Sequence, residues 1–549
     1  MVAVLPPFLS ACVMPHREAI DHIVRSGRTI ASGFATSEPH AFYSTLWDHV
    51  QERDIRDLTL KQALFMAPHR LLVGDALQSK GVFDPTVEES SFSLIAALAK
   101  QANHITRKVE GLRRLIEHYR ELRERRIRLV SAFIGAATNV IVPSNPMTRL
   151  LYPDYAGRNT TRMGITDMQS IHFPDAAAAI GYDPDGRAQM DAWVCVLTPP
   201  DERGEMSHGP ANGANGEVLS RVLQQLDADV LLYINDRYPF TRGYGDAPNT
   251  VHVDAFRALA DSGRLVVVED NSKVPGLPAG SLANPSKKEL QIAEHVVNHI
   301  ELHRGITHGR AIQVGFGGTG VLAIKALRTA SWRGRCYTEM LEPFTLDLFD
   351  AGKIDGSHFV ELDGRRTPLD GKMVCTFTLG EDDSEFYGRV HNNPAVVVAP
   401  ASRVVIPEGF HYGLGINNCL AIDFHGHVNS GGRYRNHHSG IGGGAQIWRG
   451  LSRGGIGYLC LKSTHTGRDG QLKSSIMTYM PKGTPISHVG PDLMGGRDGA
   501  RFFLVTEHGV APLSGTSQSQ FIRNLISVAH PSFRQRLRQA AWEEYRLSS

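Results

Sequence analysis

Glycines recur at a characteristic spacing in the segment QVGFGGTG, which runs from Gln313 to Gly320. Gly315, Gly317 and Gly320 satisfy the pattern GxGxxG, and an acidic residue, Glu339, follows 19 positions after the last glycine. A strand, a glycine-rich turn and a helix point backbone N–H groups at phosphate oxygens, and a carboxylate about 20 residues later can hold the ribose of a dinucleotide. One interpretation is therefore an NAD-dependent oxidoreductase.

Glu339 itself stands near the end of the short segment RCYTEM, residues 335–340. A lone carboxylate after a strand is compatible with three roles: it holds a ribose, it attacks an activated acyl group as a nucleophile, or it is an ordinary surface residue. The glycines also have a structural alternative, because they let a strand turn closely into a helix. The loop and the glutamate by themselves leave these roles open.

The overall composition is that of an ordinary globular protein. The chain has 549 residues and a formal net charge of +2, and its length predicts about two to four domains. A charge this close to zero provides no general attraction to nucleic acid or to a membrane surface. No stretch approaches the ~18 apolar residues that span a bilayer. We therefore expect neither nucleic acid nor a membrane as a partner.

Cysteines and histidines are the residue types of this chain most suited to bind a transition metal. The six cysteines are scattered without CxxC spacing, which argues against a disulfide framework and a cysteine zinc site and favours a reducing cytoplasm. His425 and His427 alternate, and His437 and His438 are adjacent. No third ligand at a familiar spacing accompanies these histidines, so the spacing predicts no metal site.

Apolar runs rich in β-branched residues alternate with helical patterns along the chain. The runs are too continuously apolar for strands with one exposed face, which predicts sheets covered on both sides. They lie at 192–200, 228–235, 263–270, 310–317, 372–380, 395–407, 419–429, 455–463 and 500–509. Helical periodicity separates several of them, at 213–226, 286–303 and 320–331. This alternation predicts an α/β fold.

A segment rich in Pro, Gly and Ser, residues 272–290, marks the predicted boundary between two domains. We place the first domain at 1–285, with a helical insertion at about 88–130, and the second at 286–549. Each half contains a helix followed by a loop of small residues, SGFATSEP in the first and VGFGGTG in the second. This similarity suggests that the two halves are related.

Several longer segments occur in an order that resembles one known family. Downstream of Glu339 they are GINNCLAIDFHGHVNS (415–430), SGIGGGAQIWRG (439–450), FFLVTEHGVAPLSGTS (502–517) and LISVAHPSFRQRL (525–537). Upstream they are LTPPDERGEMSHG (197–209) and INDRYPFTRGYGDAPNTVHVDAF (234–256). Together they are similar to the acetyl-CoA hydrolase and 4-hydroxybutyrate CoA-transferase family, the class I CoA-transferases with a catalytic glutamate, over about residues 17–545.

This resemblance implies two tandem open-sheet α/β domains of the CoA-transferase (NagB/RpiA-like) type. It also implies that Glu339, which matches the family's glutamate in YTEM, attacks an acyl-CoA thioester and then carries CoA as a glutamyl thioester until a second carboxylate takes it. Covalent catalysis of this kind divides one difficult exchange into easier steps. Acyl-CoA and a small carboxylic acid are then the substrates, no cofactor is bound permanently, and a homodimer is expected because relatives commonly form dimers.

The same resemblance implies roles for other residues. Asn417 matches the asparagine of the family's AIN motif and is a candidate for a contact with the CoA arm, with a turn-capping role as the alternative. Glu507 matches the glutamate of the family's TEYG motif and is a candidate for the acyl pocket. Two glycine-rich loops would supply N–H groups to CoA and to the oxyanions of the tetrahedral intermediates. Their candidate residues are Gly315, Phe316, Gly317, Gly318, Thr319, Gly440, Gly442 and Gly443.

The chain also departs from the family pattern. It has Val405, Ile406 and Pro407 where relatives often have Asn-Asp-Pro or Asn-His-Pro, and Leu-Glu-Pro-Phe at 341–344 where relatives have a short polar turn. We expect a CoA-transferase. An acyl-CoA hydrolase is the nearest alternative, because water that reached the glutamyl-CoA thioester would hydrolyse it. An NAD-dependent oxidoreductase and a non-catalytic CoA-binding protein are further alternatives.

Overall fold

The structure is a computed structural model of the chain. It describes residues 5–67, 69–77, 105–135, 138, 142, 146–277, 285–315, 317–355, 358–362, 364–381, 384–433, 436–437, 439–467 and 470–547. Contacts divide the chain into two units. The first comprises Met1–Ser281, Phe377–Pro394 and Val398–Ala401, and the second comprises Leu282–Thr376, Ala395–Val397 and Ser402–Ser549.

The first unit is built around a seven-stranded sheet in which every neighbouring pair is parallel. In spatial order its strands are Thr166–Met168, Arg128–Ser131, Thr59–Gln62, Thr29–Ser32, Ala192–Leu197, Asp229–Asn235 and Leu265–Asp270. All six residues of Ala192–Leu197 are buried. The sheet is therefore covered on both faces at its centre, as the continuous apolar runs predict.

The second unit contains an eight-stranded sheet. Its strands in spatial order are Val396–Val398, Met373–Cys375, Arg335–Tyr337, Ala311–Val314, Leu414–Asn418, Ile456–Cys460, Arg501–Thr506 and Gly509–Pro512. The six strands from Met373–Cys375 to Arg501–Thr506 run parallel, and Gly509–Pro512 is antiparallel to its neighbour. In both sheets the chain first adds strands on one side of the earliest strand and then on the other. The predicted α/β fold of two open-sheet domains is confirmed.

Helices connect the strands of both sheets. In residues 5–277 they are Pro7–Ser10, His16–Ile23, His40–Glu52, Arg70–Val73, Ile105–Glu124, Pro146–Leu151, Ala176–Gly181, Asn215–Gln225 and Arg257–Asp261. In residues 285–547 they are Lys287–Leu302, Arg304–Thr307, Gly318–Leu327, Pro343–Asp350, Ser384–Val390, Ala401–Val404, Gly444–Leu451, Gly490–Met494, Gln518–Ser527 and Pro531–Tyr545. Among the described residues, no helix combines the length and the apolar character that crossing a bilayer requires.

Shorter elements complete the chain. Single turns of 3-10 helix are Ala35–Ser37, Gly74–Leu77, Phe173–Asp175, Val253–Phe256 and Pro407–Phe410. Short strands are Glu205–Ser207, Thr250–His252, Met340–Leu341, Phe359–Leu362, Arg365–Pro368, Phe377–Thr378, Ala421–Asp423, Val428–Asn429, Gly432–Arg433, Asn436–His437, Thr464–Thr466, Leu472–Ser474 and Ile476–Met477.

Local sequence explains the starts of two helices. Ser286 and Glu289 form a capping box at the start of Lys287–Leu302, because each side chain bonds the backbone N–H of the other residue. Gly317 precedes Gly318–Leu327 with φ of 135°, a conformation that suits glycine. The turn after strand Ala311–Val314 therefore needs its glycine for a backbone reason, whatever it binds.

Three predicted segments differ from the structure. The run 419–429 is not one strand: Leu414–Asn418 forms the central strand, and only the short strands Ala421–Asp423 and Val428–Asn429 follow it. The run 395–407 turns from a strand into the helix Ala401–Val404. Of the stretch 88–130, residues 88–104 lie outside the described residues, 105–124 are helical, and Arg128–Ser131 is a strand of the first sheet.

Candidate active site

The candidate residues of the second unit gather at the carboxyl ends of its parallel strands. Strand Ala311–Val314 lies between Arg335–Tyr337 and Leu414–Asn418, and the connections leave it in opposite directions. Such a change of direction opens a crevice at the carboxyl edge of an open α/β sheet, where ligands of this architecture bind. The glycine loop after Val314 and the amides of Asn417 and Asn418 lie at this point of the sheet.

Glu339 follows the adjacent strand, Arg335–Tyr337, at the same edge. Its backbone is held on two sides: Thr376 N–H donates to the carbonyl oxygen of Glu339 (3.1 Å), and Thr338 N–H donates to that of Val374 (2.9 Å). Val314 N–H donates to Thr338 Oγ1 (3.3 Å). The glycine loop and Glu339 therefore leave the sheet from neighbouring, mutually bonded strands.

The carboxylate of Glu339 has one hydrogen-bond donor from the distant glycine segment. Gly443 N–H donates to Glu339 Oε2 at 2.9 Å, across 104 positions of sequence. Burial raises the pKa of Glu339 to about 7, although the bond from Gly443 acts in the opposite direction. Because a partly buried carboxylate with few donors is less well solvated, its charged form is more reactive than a carboxylate in water.

Gly443 is the residue before helix Gly444–Leu451, and its place has no room for a side chain. A Cβ there would lie 2.2 Å from Glu339 Oε2 and 2.2 Å from Val405 Cγ1. Gly442 has φ of +67°, and its Cβ would lie 3.8 Å from Glu339 Oε1. Gly440, three residues before Gly443 in the sequence, is also buried. Glycine at 443 thus allows a backbone N–H, at a helix N-terminus, to reach the carboxylate.

The first glycine loop closes against the asparagines of strand Leu414–Asn418. A Cβ on Gly315 would lie 2.6 Å from Asn417 Oδ1, and one on Gly317 would lie 2.6 Å from Asn418 Nδ2. Gly318 and Thr319 begin the helix that follows, and Phe316 lies outside the described residues. Asn417 is 7% exposed, and its Oδ1 has no hydrogen-bond partner among the described residues.

Asn417 lies within strand Leu414–Asn418. The turn-capping alternative for this residue is therefore wrong. A buried carbonyl oxygen without a donor costs free energy unless a ligand or water satisfies it. Its position beside the glycine loop means that a ligand in the crevice could do so.

Glu507 follows strand Arg501–Thr506 and is tied to other residues of the same unit. Ser463 donates to it from both N–H (2.9 Å) and Oγ (2.8 Å), and Lys288 Nζ lies 3.1 Å from its Oε1. Burial alone would raise the pKa of Glu507, but the donors from Ser463 and Lys288 outweigh it and lower the pKa. The carboxylate of Glu507 is thus ionised, and both of its oxygens already bind Ser463 or Lys288.

Two further residues of this region were not singled out from the sequence. Gln313 is 1% exposed, and neither amide atom of its side chain has a partner among the described residues. Glu342 accepts bonds from Phe344 N–H (2.6 Å) and Thr345 Oγ1 (2.6 Å), which caps helix Pro343–Asp350. The sequence contains a signal for each of them. Gln313 is a polar residue in the apolar run AIQV, and Glu342 is an acidic residue directly before Pro343, where a helix cap is expected.

In the first unit, the loop after strand Thr29–Ser32 carries a buried carboxylate. Glu38 is fully buried and accepts bonds from Gln62 Nε2 (3.1 Å) and Met66 N–H (2.8 Å). His69 Nε2 lies 2.5 Å from its Oε1. In the sequence only the small residues distinguish this loop, because the partners of Glu38 come from other segments.

Comparisons with known proteins give the following similarities. Residues 383–541 match the family described as acetyl-CoA hydrolase/transferase C-terminal domain. A succinyl-CoA:cyclohexane-1-carboxylate CoA transferase of Geobacter metallireducens is 31% identical over 398 residues, which are 71% of this chain and 79% of the relative. A butyryl-CoA:acetate CoA-transferase of Anaerostipes caccae is 27% identical over 370 residues, 65% of this chain and 73% of the relative.

Among solved structures, RipA from Yersinia pestis matches with a TM-score of 0.68 and 21% identity, over 98% of this chain and 98% of RipA. At 21% identity, this similarity shows that the two proteins share a fold. It extends along nearly the whole chain, whereas the family match covers the C-terminal part.

Proposed function

The chain belongs to the acetyl-CoA hydrolase/transferase family, and on this basis we propose that it transfers CoA from an acyl-CoA to a carboxylate with Glu339 as the nucleophile. The observation that carries the proposal is the state of the Glu339 carboxylate. It follows strand Arg335–Tyr337 by two residues at the carboxyl edge of the sheet, burial raises its pKa to about 7, and Gly443 N–H donates to it. These are the properties of a nucleophile whose reactivity the fold increases.

The proposed reaction has four displacements at carbonyl carbons. Glu339 attacks the acyl-CoA thioester, the C–S bond breaks, and an acyl-glutamyl anhydride and CoA thiolate form. The thiolate attacks the glutamyl carbonyl and releases the first carboxylate, leaving a glutamyl-CoA thioester. The acceptor carboxylate attacks this thioester and expels the thiolate, which finally attacks the acceptor's acyl carbon and returns Glu339 as a carboxylate. No proton or electron is gained or lost overall.

Gly443 has a specific part in these steps. Its N–H bonds an oxygen of the free carboxylate, and the same oxygen becomes the carbonyl oxygen of the acylated glutamate. When the thiolate attacks that carbonyl, negative charge grows on the bonded oxygen, where a fixed N–H at a helix N-terminus stabilises it most. A donor that is already oriented needs no reorganisation during the reaction.

Coenzyme A is the proposed ligand of the crevice beside Glu339. The N–H of Gly315 already donates to Ile416 O (2.8 Å), so the backbone N–H groups proposed for CoA are those at the start of helix Gly318–Leu327 and in the segment of Gly440 and Gly442. The unpartnered Oδ1 of Asn417 suits a donor such as an amide N–H of the pantetheine arm. We propose Glu507 as a residue near the acyl pocket, where its ionised state rests on Ser463 and Lys288.

Hydrolysis is the second candidate, favoured by the family description, which covers hydrolases as well as transferases. The same glutamyl-CoA thioester would lose CoA if water replaced the acceptor carboxylate. The NAD-dependent alternative rested on GxGxxG and an acid at the right spacing. The same two features have a role in CoA transfer, so nothing remains that requires a nicotinamide.

The test is chemical trapping of the intermediate. The full-length protein is incubated with acyl-CoA, reduced with borohydride and digested, and the peptide containing Glu339 is examined by mass spectrometry. We expect reduction of Glu339 to the alcohol in an acyl-CoA-dependent manner, and none in Glu339→Gln. An unmodified Glu339 in a protein that exchanges CoA would refute the nucleophile assignment. Tight CoA binding without exchange or modification would favour the non-catalytic alternative.

A panel of carboxylate acceptors with a water-only control then separates transfer from hydrolysis, since both proceed through the trapped species. The six cysteines are all free thiols, which supports the proposed location in a reducing cytoplasm. The homodimer stays a prediction, to be checked by light scattering.

A further inference from the structure

A hairpin that follows strand Leu414–Asn418 brings three potential metal ligands together. Asp423 ends strand Ala421–Asp423, and His425 and His427 lie in the turn that leads to Val428–Asn429. One ligand atom from each of these three residues lies within 4.8 Å of the others. The histidines alternate in sequence, but the turn rather than a strand places both beside the carboxylate.

Asp423 is rigidly oriented. Its Oδ1 accepts from His425 N–H (3.0 Å) and His427 N–H (2.9 Å), and its Oδ2 accepts from Met480 N–H (2.9 Å). Gly426 has φ of +78°, which lets the turn close over the carboxylate. Backbone donors of this kind fix a carboxylate ligand before any ion arrives.

Among the described residues, no lysine or arginine forms an ion pair with this carboxylate. Asp423 is 1% exposed, and its ion-pair partner within the described part of the chain is His427, at 3.0 Å. Glu544 adds a second carboxylate to the surroundings, since it bonds Tyr479, whose ring stacks on His425 at 5.2 Å. A buried anion without a full cationic partner is costly, and a bound cation would relieve that cost.

The imidazoles complete a set of donors that suits zinc. His427 Nδ1 lies 3.0 Å from Asp423 Oδ2, close to the roughly 3.3 Å between two ligands on a tetrahedral zinc with bonds of about 2.0–2.1 Å. His425 Nε2 is hydrogen-bonded to Tyr545 Oη at 2.8 Å. A neutral ring that donates from Nε2 keeps its lone pair on Nδ1, and an outer partner of this kind is typical of metal-ligating histidines.

We propose that Asp423, His425 and His427 bind a zinc ion, with water in the remaining position. On binding, the ion takes the place of the proton between His427 Nδ1 and Asp423 Oδ2, and that proton moves to Nε2 or to solvent. The side chain of His427 is 41% exposed, so the ion has access from solvent. Through Tyr545 the site also ties the hairpin to the helix Pro531–Tyr545, which gives it a structural role separate from CoA transfer.

A second group of ligand types, Glu38, His40 and His69, differs in its environment. The side chains of Glu38 and His69 are 0% and 2% exposed. His69 Nε2 bonds directly to Glu38 Oε1 inside this buried group. We interpret this group as a buried carboxylate–imidazole pair and reserve the zinc proposal for the accessible hairpin.

The experiment uses the full-length protein without an affinity tag, stripped with a chelator and titrated with zinc sulfate by calorimetry. We expect one zinc per chain. His425→Ala and His427→Ala should each weaken binding by about tenfold or more, and Tyr545→Phe by about tenfold, because it removes only the outer partner. His303→Ala is the matched control: its ring lies 4.3 Å from His299, and its loss should not change zinc affinity.

Thermal unfolding provides the second readout. Zinc should raise the melting temperature of the natural protein and of His303→Ala but not of the His425→Ala/His427→Ala variant. Absence of zinc binding to the natural protein, or equal binding by the double histidine variant, would overturn the proposal. If His425→Ala does not fold, the exposed His427→Ala and Tyr545→Phe still decide it.

Discussion

Replacing Glu339 by Gln should abolish CoA transfer and at the same time stabilise the second unit at alkaline pH. Burial raises the pKa of Glu339 from 4.5 to about 7, and each pKa unit corresponds to about 1.4 kcal/mol. The folded state therefore holds its proton more tightly than the unfolded state. Stability is fully present below about pH 4.5 and is lost as the pH rises through 7. The ionised carboxylate costs up to about 3 kcal/mol at pH 8.

Glutamine has nearly the same shape, and its Oε1 can accept the Gly443 N–H, but it does not ionise. We expect Glu339→Gln to be more stable than the natural protein by up to about 3 kcal/mol at pH 8 and by about 1 kcal/mol or less at pH 5. In scanning calorimetry this corresponds to several degrees at pH 8, at about 2 °C per kcal/mol for a unit of this size. CoA transfer, measured on the same samples, should be lost.

Glu507→Gln is the matched control, because its dependence on pH has the opposite sign. The donors from Ser463 and Lys288 hold the pKa of Glu507 below its usual range, so its ionised form stabilises the fold above the unfolded pKa. Its replacement should lower the melting temperature at pH 8. An equal gain for Glu339→Gln at pH 5 and pH 8, or no gain at pH 8, would show that burial does not penalise the Glu339 charge.

Two further predictions concern activity. Gly443→Ala should lower kcat/KM by about 100-fold, because a Cβ 2.2 Å from Glu339 Oε2 displaces the nucleophile by about 1 Å. Gly305→Ala is the control and should leave kcat/KM unchanged, because a Cβ at Gly305 has no atom within 4 Å. If Val405→Ala restored the activity of Gly443→Ala, the loss would come from core packing instead. The kcat/KM of the natural protein should fall about tenfold per pH unit below pH 7, where Glu339 is protonated, and a flat profile from pH 5 to 7 would contradict the ionised nucleophile.

Much of the fold follows from local pattern. Continuous apolar runs predicted strands such as Ala192–Leu197 and Ile456–Cys460, because a strand buried on both faces leaves that signature in any context. The capping residues Ser286 and Glu289 likewise mark the start of Lys287–Leu302. These signals lie within a few residues of each other, so the chain carries them without its tertiary structure.

The local sequence pattern did not determine features that depend on contacts with segments distant in sequence. Residues 419–429 have strand character, yet the central strand is Leu414–Asn418, because hydrogen bonds to Ala311–Val314 and Ile456–Cys460 select that register. Residues Phe377–Pro394 lie in sequence between two stretches of the second unit but belong to the first. Composition does not record which unit a segment joins, since either apolar surface would bury it.

For the site, sequence alone singled out Glu339 and the glycine segments, since a motif preserves the type and order of residues. It did not determine that Gly443 N–H would meet Glu339 Oε2 across 104 positions, or that burial would raise the pKa of that carboxylate to about 7. Nor did histidine spacing reveal that Asp423 turns back on His427. Distances between segments and the loss of solvent around a charge arise only when the chain packs, and these decide the chemistry of a carboxylate.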